Sequence, residues 1–391
     1  MRNNKYQSKQ GAKNYPRKEK VQSVQTDTRQ VTGIRKKSAD YYKNVQMWFI
    51  FVFAILLYSN TLFFDYTLDD QLMIYNNKFT TMGVAGFKKI LSTDSFTGFF
   101  GESKQLVAGG RYRPLSHLMF AVEWQIFGKS PFEGHLFNVL LYGLACMLLF
   151  KVLTMLFNNN VKSGWYISLP FVIAALFTAH PLHTEVVANI KGRDEILSLL
   201  GSIGTMYFVL RYYETRKNTL LFYAGIVYFL GLMAKENAIT YLAVIPLAIY
   251  FLKDKSLKES MICLVPMAVG AVVFIGLRTN AIGMDLNGKP VTELLNNPFI
   301  DWKAGHEYPA GMKYATIMYT LALYIKLMIL PHPLTHDYYP FQIPIIGFSD
   351  YRAIISVLIY IVLIVIAVRG FLRKSIVSYG IIIFIATLSI A

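Results

Sequence analysis

The sequence predicts an all-α polytopic membrane protein, and three observations carry that reading. Hydrophobic residues make up 54% of the 391-residue chain and charged residues only 16%, where soluble domains carry about a quarter charged. The apolar residues gather into long runs that approach the ~20 residues needed to cross a ~30 Å hydrocarbon core. Lys and Arg collect in alternate loops, as the positive-inside rule expects of a chain that crosses repeatedly.

The net charge of +16 is not spread as a nucleic-acid surface would be. Residues 1–45 alone hold twelve Lys/Arg against three Asp/Glu. They are rich in Gln, Asn and Ser and poor in apolar residues, which predicts a disordered basic cytoplasmic tail and no nucleic-acid partner. The tail is too long and polar to open a cleaved signal peptide, so the first span is a retained anchor. Cys146 and Cys263 lie in separate apolar runs and suggest neither a disulfide framework nor a thiolate metal site.

In chain order, a first span over 46–64 leads out to Asp65, Asp69 and Asp70. The external loop 65–112 is followed by Arg113-Pro114, which opens an interrupted apolar stretch to Phe127 suited to an interfacial helix. Spans over 131–156 and 165–179 lead out again to His180-Pro181-Leu182-His183-Thr184-Glu185. The fourth span ends near Leu210, the fifth covers 220–234, the sixth returns to Lys253, and the seventh covers 261–277 and ends at Arg278. If 313–330 crosses, Arg369, Arg373 and Lys374 fall outside against the charge rule. That stretch therefore reads as interfacial or re-entrant, with 279–350 an external loop. Two further spans, 353–368 and 376–391, make nine, or ten if 313–330 crosses. The chain stops inside an apolar run, which predicts that the natural protein continues past it.

Titratable groups collect on the outer face. An adjacent pair such as Asp69-Asp70 suits general-base work because one charge raises the pKa of the other, although neighbours in a loop point apart and one of them can serve only to orient a turn. Cations near the outer interface, Arg113, Arg193, Lys235 and Arg278, are natural partners for a phosphate at headgroup depth. The alternatives are cations snorkelling from helix ends, or neutralisation of Arg193 by Asp194 and of Lys235 by Glu236. His180, His183 and Glu185 are candidate ligands for a divalent ion (Mn²⁺ or Mg²⁺). Their spacing lacks the i,i+4 geometry of a helical zinc motif, and hydrogen-bonded structural histidines are the competing reading.

The chain resembles the transmembrane and tetratricopeptide-repeat-containing O-mannosyltransferases, within the GT-C superfamily of lipid-phosphosugar-dependent glycosyltransferases. The matching pieces are Leu68-Asp69-Asp70, Arg113-Pro114-Leu115-Ser116, and His135-Leu136-Phe137-Asn138-Val139. Next come Phe177 through Ala188 with Gly192-Arg193-Asp194, and Ala234-Lys235-Glu236-Asn237; weaker echoes follow in Asn297-Pro298 and His336-Asp337-Tyr338. The resemblance implies a GT-C type helical bundle and an acidic pair that contains the catalytic base, Asp69 by the family pattern. If neither acid of the pair serves, Glu102 and Asp94 are next in line. It implies a polyprenyl- or dolichyl-phosphate sugar as donor, mannose by the family name, and a protein Ser or Thr hydroxyl as acceptor. The family's tetratricopeptide array, expected after the membrane region, is absent from these residues.

The chemistry so implied needs a base for the acceptor hydroxyl and cations for the departing lipid phosphate. An inverting displacement on the outer or lumenal face is the expectation, in a bacterial inner membrane or the endoplasmic reticulum. A transporter is the competing class, but transporters place charge near the bilayer midplane between repeats, and no repeat is visible here. A glycosyltransferase acting on a lipid or polysaccharide acceptor is a further alternative.

Overall fold

The computed structural model describes residues 41–67, 69–102, 110–157, 168–283, 297–301, 305–335, 338 and 342–390. The tail 1–40, Leu68, His336 and Asp337 lie outside them. The first helix, α1 (Tyr41–Phe63), includes residues 41–45, which the sequence reading assigned to the tail. Between α1 and α2 (Pro114–Phe127) the loop folds into five short helices, from Gln71–Tyr75 to Thr97–Phe100. There follow α3 (Pro131–Leu156), α4 (Leu169–Ala179), α5 (Arg193–Thr215), α6 (Thr219–Ala234), α7 (Tyr241–Leu252) and α8 (Leu264–Ile282). The described chain ends with α9 (Ala310–Ile329), α10 (Tyr351–Phe371) and α11 (Ile376–Leu388). The only strands among the described residues are Ile300–Asp301 and His306–Glu307, paired antiparallel.

Proline opens α2, α3 and α4 within the first two positions, where its missing N–H is no loss and its fixed φ suits a helix. The centre of the bundle is α5, whose Ile196, Ile203, Val209 and Leu210 are buried. It touches α6 backbone to backbone: a Cβ on Gly201 would lie 2.5 Å from the Gly231 Cα. This is the small-residue contact that lets membrane helices approach closely. The least buried of the five long apolar helices, α10, keeps 17% of its most apolar window buried and turns Ile354, Leu358 and Val362 outward, as a lipid-facing surface requires.

The expected nine spans are not matched by helix length. Among the described residues, five helices are long and apolar enough to cross, and six if the pair Leu169–Ala179 and Pro181–Ala188, bent by 49°, counts as one. The helices Thr219–Ala234, Glu236–Leu252 and Ile376–Leu388 fall below 18 residues, because polar turns such as Lys235-Glu236-Asn237 interrupt the apolar runs. The helix over 313–330 forms as α9, but it is not among those apolar enough to cross. The seventh run also extends further than expected: α8 continues to Ile282, so Arg278 lies within a helix and the following loop starts four residues later than 279.

Candidate active site

Asp69 and Asp70 leave the end of α1 in different environments. Asp70 is fully buried. Its Oδ2 accepts the Thr67 N–H at 2.9 Å and its Oδ1 accepts the Lys191 N–H at 2.8 Å. Burial pushes its pKa up to about 6 despite these two hydrogen bonds. Asp69 has a side chain 46% exposed and an Oδ2 3.6 Å from the Lys191 ammonium. One carboxylate ties two loops together through their backbones, while the other faces a cation and solvent.

Lys191 is held in place by the turn that carries it. Asn189 Oδ1 accepts the Lys191 N–H at 3.1 Å. The buried Asn138 of α3 donates to the carbonyls of Asn189 (2.9 Å) and Ile190 (3.2 Å) and accepts from Arg193 Nε at 2.9 Å. The next residue has to be glycine, since a Cβ on Gly192 would lie 2.2 Å from the Val186 carbonyl oxygen. From Lys191 an ion network runs inward. Its Nζ is 3.6 Å from Asp194 Oδ2, which accepts Arg113 Nη1 at 2.8 Å. Arg113 also grips Glu236 with two parallel hydrogen bonds, Nε at 3.0 Å and Nη2 at 2.7 Å, the bidentate geometry that makes such pairs strong. Beside them Lys235 pairs with Glu195.

Arg111 completes the group. Its backbone is clamped by Asp94, whose carboxylate accepts the Arg111 N–H at 2.7 Å and the Phe96 N–H at 2.8 Å. Its guanidinium stacks 4.9 Å from the Phe96 ring centroid, and among the described residues it has no ion-pair partner. Burial and then Arg113 push its pKa down, while Asp194, Asp69 and Glu236 push it up. Asp94 thus has both oxygens committed to backbone. Below this strap His117, buried in α2, sits 2.7 Å from Thr80 Oγ1. The Thr80 hydroxyl donates to the Met73 carbonyl, so His117 Nε2 must donate. Burial lowers the pKa of His117 to about 4, leaving it a neutral pin between α2 and the loop helices.

Arg193 departs from the sequence expectation of a phosphate ligand. Its side chain has no exposure and pairs with Glu123 of α2. It donates further to Asn138 Oδ1 and the Gly134 carbonyl and lies over the Phe120 ring at 4.6 Å. Its partner is Glu123, where the sequence had suggested Asp194, and Asp194 is bound by Arg113 instead. Arg278 stands on the same face of α8 as Phe274 and Ile282, one turn from each. Those two touch Tyr112 and Gly110, which places Arg278 beside the Arg111 strap. The candidate metal ligands do not converge. His180 Nε2 contacts the Met328 carbonyl at 3.1 Å, and its Nδ1 accepts the Leu182 N–H. The His183 ring packs on Phe177 at 4.4 Å, and Glu185 is exposed. Among the described residues no three His, Cys, Asp or Glu side chains come together as a metal site, and His180, His183 and Glu185 share no common centre.

Lys191, Glu123 and Glu195 were missed from sequence. Lys191 directly precedes Gly192-Arg193-Asp194 and carried the signal of that block. Glu123 and Glu195 had no signal beyond charge.

These observations define a class: an all-helical membrane protein whose loops fold, at one end of the bundle, into a charged and partly open site. Residues 113–277 match the family model described as dolichyl-phosphate-mannose-protein mannosyltransferase. Residues 301–364 match that of protein O-mannosyl-transferase TMTC, DUF1736. The chain is thus similar to the TMTC protein O-mannosyl-transferases. It is 27% identical over 334 residues to protein O-mannosyl-transferase tmtc2 of Xenopus laevis, which covers 80% of this chain and 38% of the relative. Protein O-mannosyl-transferase F38B6.6 of Caenorhabditis elegans is 27% identical over 323 residues, covering 80% of this chain and 42% of that protein. Protein O-mannosyl-transferase TMTC1 of Homo sapiens is 32% identical over 149 residues, 38% of this chain and 16% of its own length. The chain therefore spans well under half the length of these relatives. No solved structure matches it.

Proposed function

We propose that this chain is the membrane part of an enzyme that transfers mannose from a polyprenyl- or dolichyl-phosphate carrier to a Ser or Thr hydroxyl of a protein. The reaction takes place at the outer or lumenal end of the bundle, with the N-terminus in the cytoplasm. In this reading the acceptor oxygen attacks the anomeric carbon as the bond to the phosphate oxygen breaks, and the electron pair stays on the lipid phosphate. Asp69 takes the acceptor's proton. Lys191 and Lys235 hold the phosphate, helped by Arg111, while Arg113 fixes Asp194 and Glu236 around them. The step runs on side-chain cations, and attack opposite the leaving phosphate inverts the anomeric centre.

The observation that carries the reading is the division of labour between the adjacent acids. Asp70 spends both oxygens on backbone N–H groups, whereas Asp69 is half exposed and 3.6 Å from a lysine ammonium. The likeness to protein O-mannosyl-transferases supports the choice of sugar and acceptor. The test is purified protein in detergent, given radiolabelled polyprenyl-phosphate mannose and a Ser/Thr peptide. Wild type should mannosylate the peptide, and Asp69→Asn should lose about 10²–10⁴-fold in turnover with an unchanged unfolding midpoint. An untouched donor would sink the reading, and a fully active Asp69→Asn would move the base elsewhere.

A further inference from the structure

The block Ala234-Lys235-Glu236-Asn237 is not used up by the ion network. Lys235 and Glu236 pair with Glu195 and Arg113, but among the described residues the Asn237 carboxamide has no hydrogen-bond partner. It borders an open cavity of about 190 Å³ between the first turns of α5, the Glu236–Thr240 turn with the start of α7, and α11. The cavity starts at the charged site, because Glu195, the partner of Lys235, is part of its wall.

The wall has an unusual composition for a gap between membrane helices. Ser198, Ser202, Thr240, Asn237 and Tyr241 all line it. Ser202 has 1% of its surface exposed, and its Oγ has no hydrogen-bond partner. A serine two and a half turns into α5 would ordinarily bond back to the carbonyl four residues earlier, as Thr205 does to Gly201 at 2.7 Å. An orphaned buried hydroxyl carries a free-energy cost that a ligand hydroxyl can relieve. Beside the apolar Leu199 and Ala238, the wall offers hydroxyls, a carboxamide, a carboxylate and one aromatic face, the groups that recognise a polyol ring.

We propose that this cavity receives the hexosyl group of the donor, with Ser202 and Asn237 hydrogen-bonding its hydroxyls and Lys235 at its mouth beside the phosphate. The proposal rests on the reading of the chain as a lipid-phosphosugar-dependent transferase and adds where the sugar is recognised. Asn237, which no other interaction explains, then has the role of a specificity residue.

The test separates sugar from phosphate. Short-chain polyprenyl-phosphate mannose and the same polyprenyl phosphate without sugar are titrated by equilibrium binding to wild type, Ser202→Leu and Asn237→Ala. Ser202→Leu fills the cavity and removes its orphan hydroxyl, so it should weaken binding of the mannosyl lipid about tenfold or more, the effect of one lost buried hydrogen bond. Asn237→Ala, at a partly buried position, should fold as wild type does and weaken the same ligand in the same direction. Binding of the bare lipid phosphate should stay within twofold in both. Unchanged mannosyl-lipid binding in both variants, equal losses for the two lipids, or no preference of wild type for the mannosyl lipid would overturn the assignment. Turnover by wild type reports separately on the transferase reading: a wild type that binds the mannosyl lipid through Ser202 and Asn237 yet never consumes it refutes the chemistry and keeps the sugar site.

Discussion

Replacing Arg193 distinguishes a buried structural cation from a phosphate ligand. In Arg193→Met the Glu123 carboxylate, 15% exposed, loses its cation, and Asn138 Oδ1 and the Gly134 carbonyl lose their donors. Removing one partner of a buried pair costs about 3–5 kcal/mol, and each orphaned acceptor adds on the order of 1 kcal/mol. The sum is comparable with the whole net stability of many domains, about 5–15 kcal/mol. The single variant should therefore unfold at much lower temperature in detergent or fail to accumulate. The double variant Arg193→Met/Glu123→Met leaves no unpaired charge, and apolar replacement of a buried pair is often neutral. It should recover most of the loss. Phe120, whose ring already faces Arg193, provides an apolar surface for the new side chains. The assay is thermal unfolding of the four members of this cycle, with donor affinity measured on those that fold. An Arg193→Met protein with a normal midpoint and weakened donor binding would refute the structural role and restore Arg193 as a phosphate ligand.

Four other outcomes are expected. Asn138→Leu removes the braces on the 189–193 turn and should lower the unfolding midpoint, by about 1–3 kcal/mol for unsatisfied buried groups, and reduce turnover with it. Lys191→Met should leave the midpoint nearly unchanged, since its Nζ contacts are both at 3.6 Å, while slowing turnover at least tenfold if it faces the phosphate; equal rates would remove it from the site. With single cysteines, Glu102→Cys and His306→Cys should react with an impermeant thiol reagent from the outer side and Arg216→Cys should not, whereas labelling at 306 only after permeabilisation would place 279–350 on the other face. Asp70 keeps its proton up to about pH 6 when folded, against 3.8 when unfolded. Its contribution to stability is therefore complete below 3.8 and is lost as pH rises through about 6, so midpoints should fall along that limb in wild type and flatten in Asp70→Asn.

The helices were legible because long apolar runs have few alternatives in a membrane, and those over 131–156 and 351–371 lie close to where the runs place them. The number of crossings was not, because Thr219–Ala234 and Tyr241–Leu252 are cut short by the Lys235 turn and length alone cannot make them spans. At the site, the blocks around Asp69, Gly192-Arg193-Asp194 and Lys235-Glu236 do come together. The pairings within them were not legible, since a cation's role depends on what lies opposite it. Arg193 and Lys191 are two residues apart on one turn, yet one meets Glu123 from a helix 70 positions earlier and the other meets Asp69. Burial in the fold separates the cation sealed against Glu123 from the one that faces half-exposed Asp69, and sequence distance carries no trace of it.

The balance of charge in the site bears on why the chemistry is placed among so many ions. Asp69, Asp194, Glu195 and Glu236 stand with Arg111, Arg113, Lys191 and Lys235, four acids against four bases, with Asp70 buried beside them. In the proposed reaction a mannosyl phosphodiester with one negative charge becomes a lipid phosphate that gains a second, and the acceptor gives up a proton. If that proton goes to Asp69, one carboxylate is neutralised as the phosphate gains charge. The net charge of the site then does not change through the step, and charge only moves from Asp69 to the phosphate. Lys191 lies 3.6 Å from Asp69, so the same ammonium that paired the base can follow the charge to the leaving group. In a low-dielectric surrounding, where an uncompensated charge at 4 Å is worth several kcal/mol even at an effective dielectric of about 20, such an exchange avoids the reorganisation that a net change would demand.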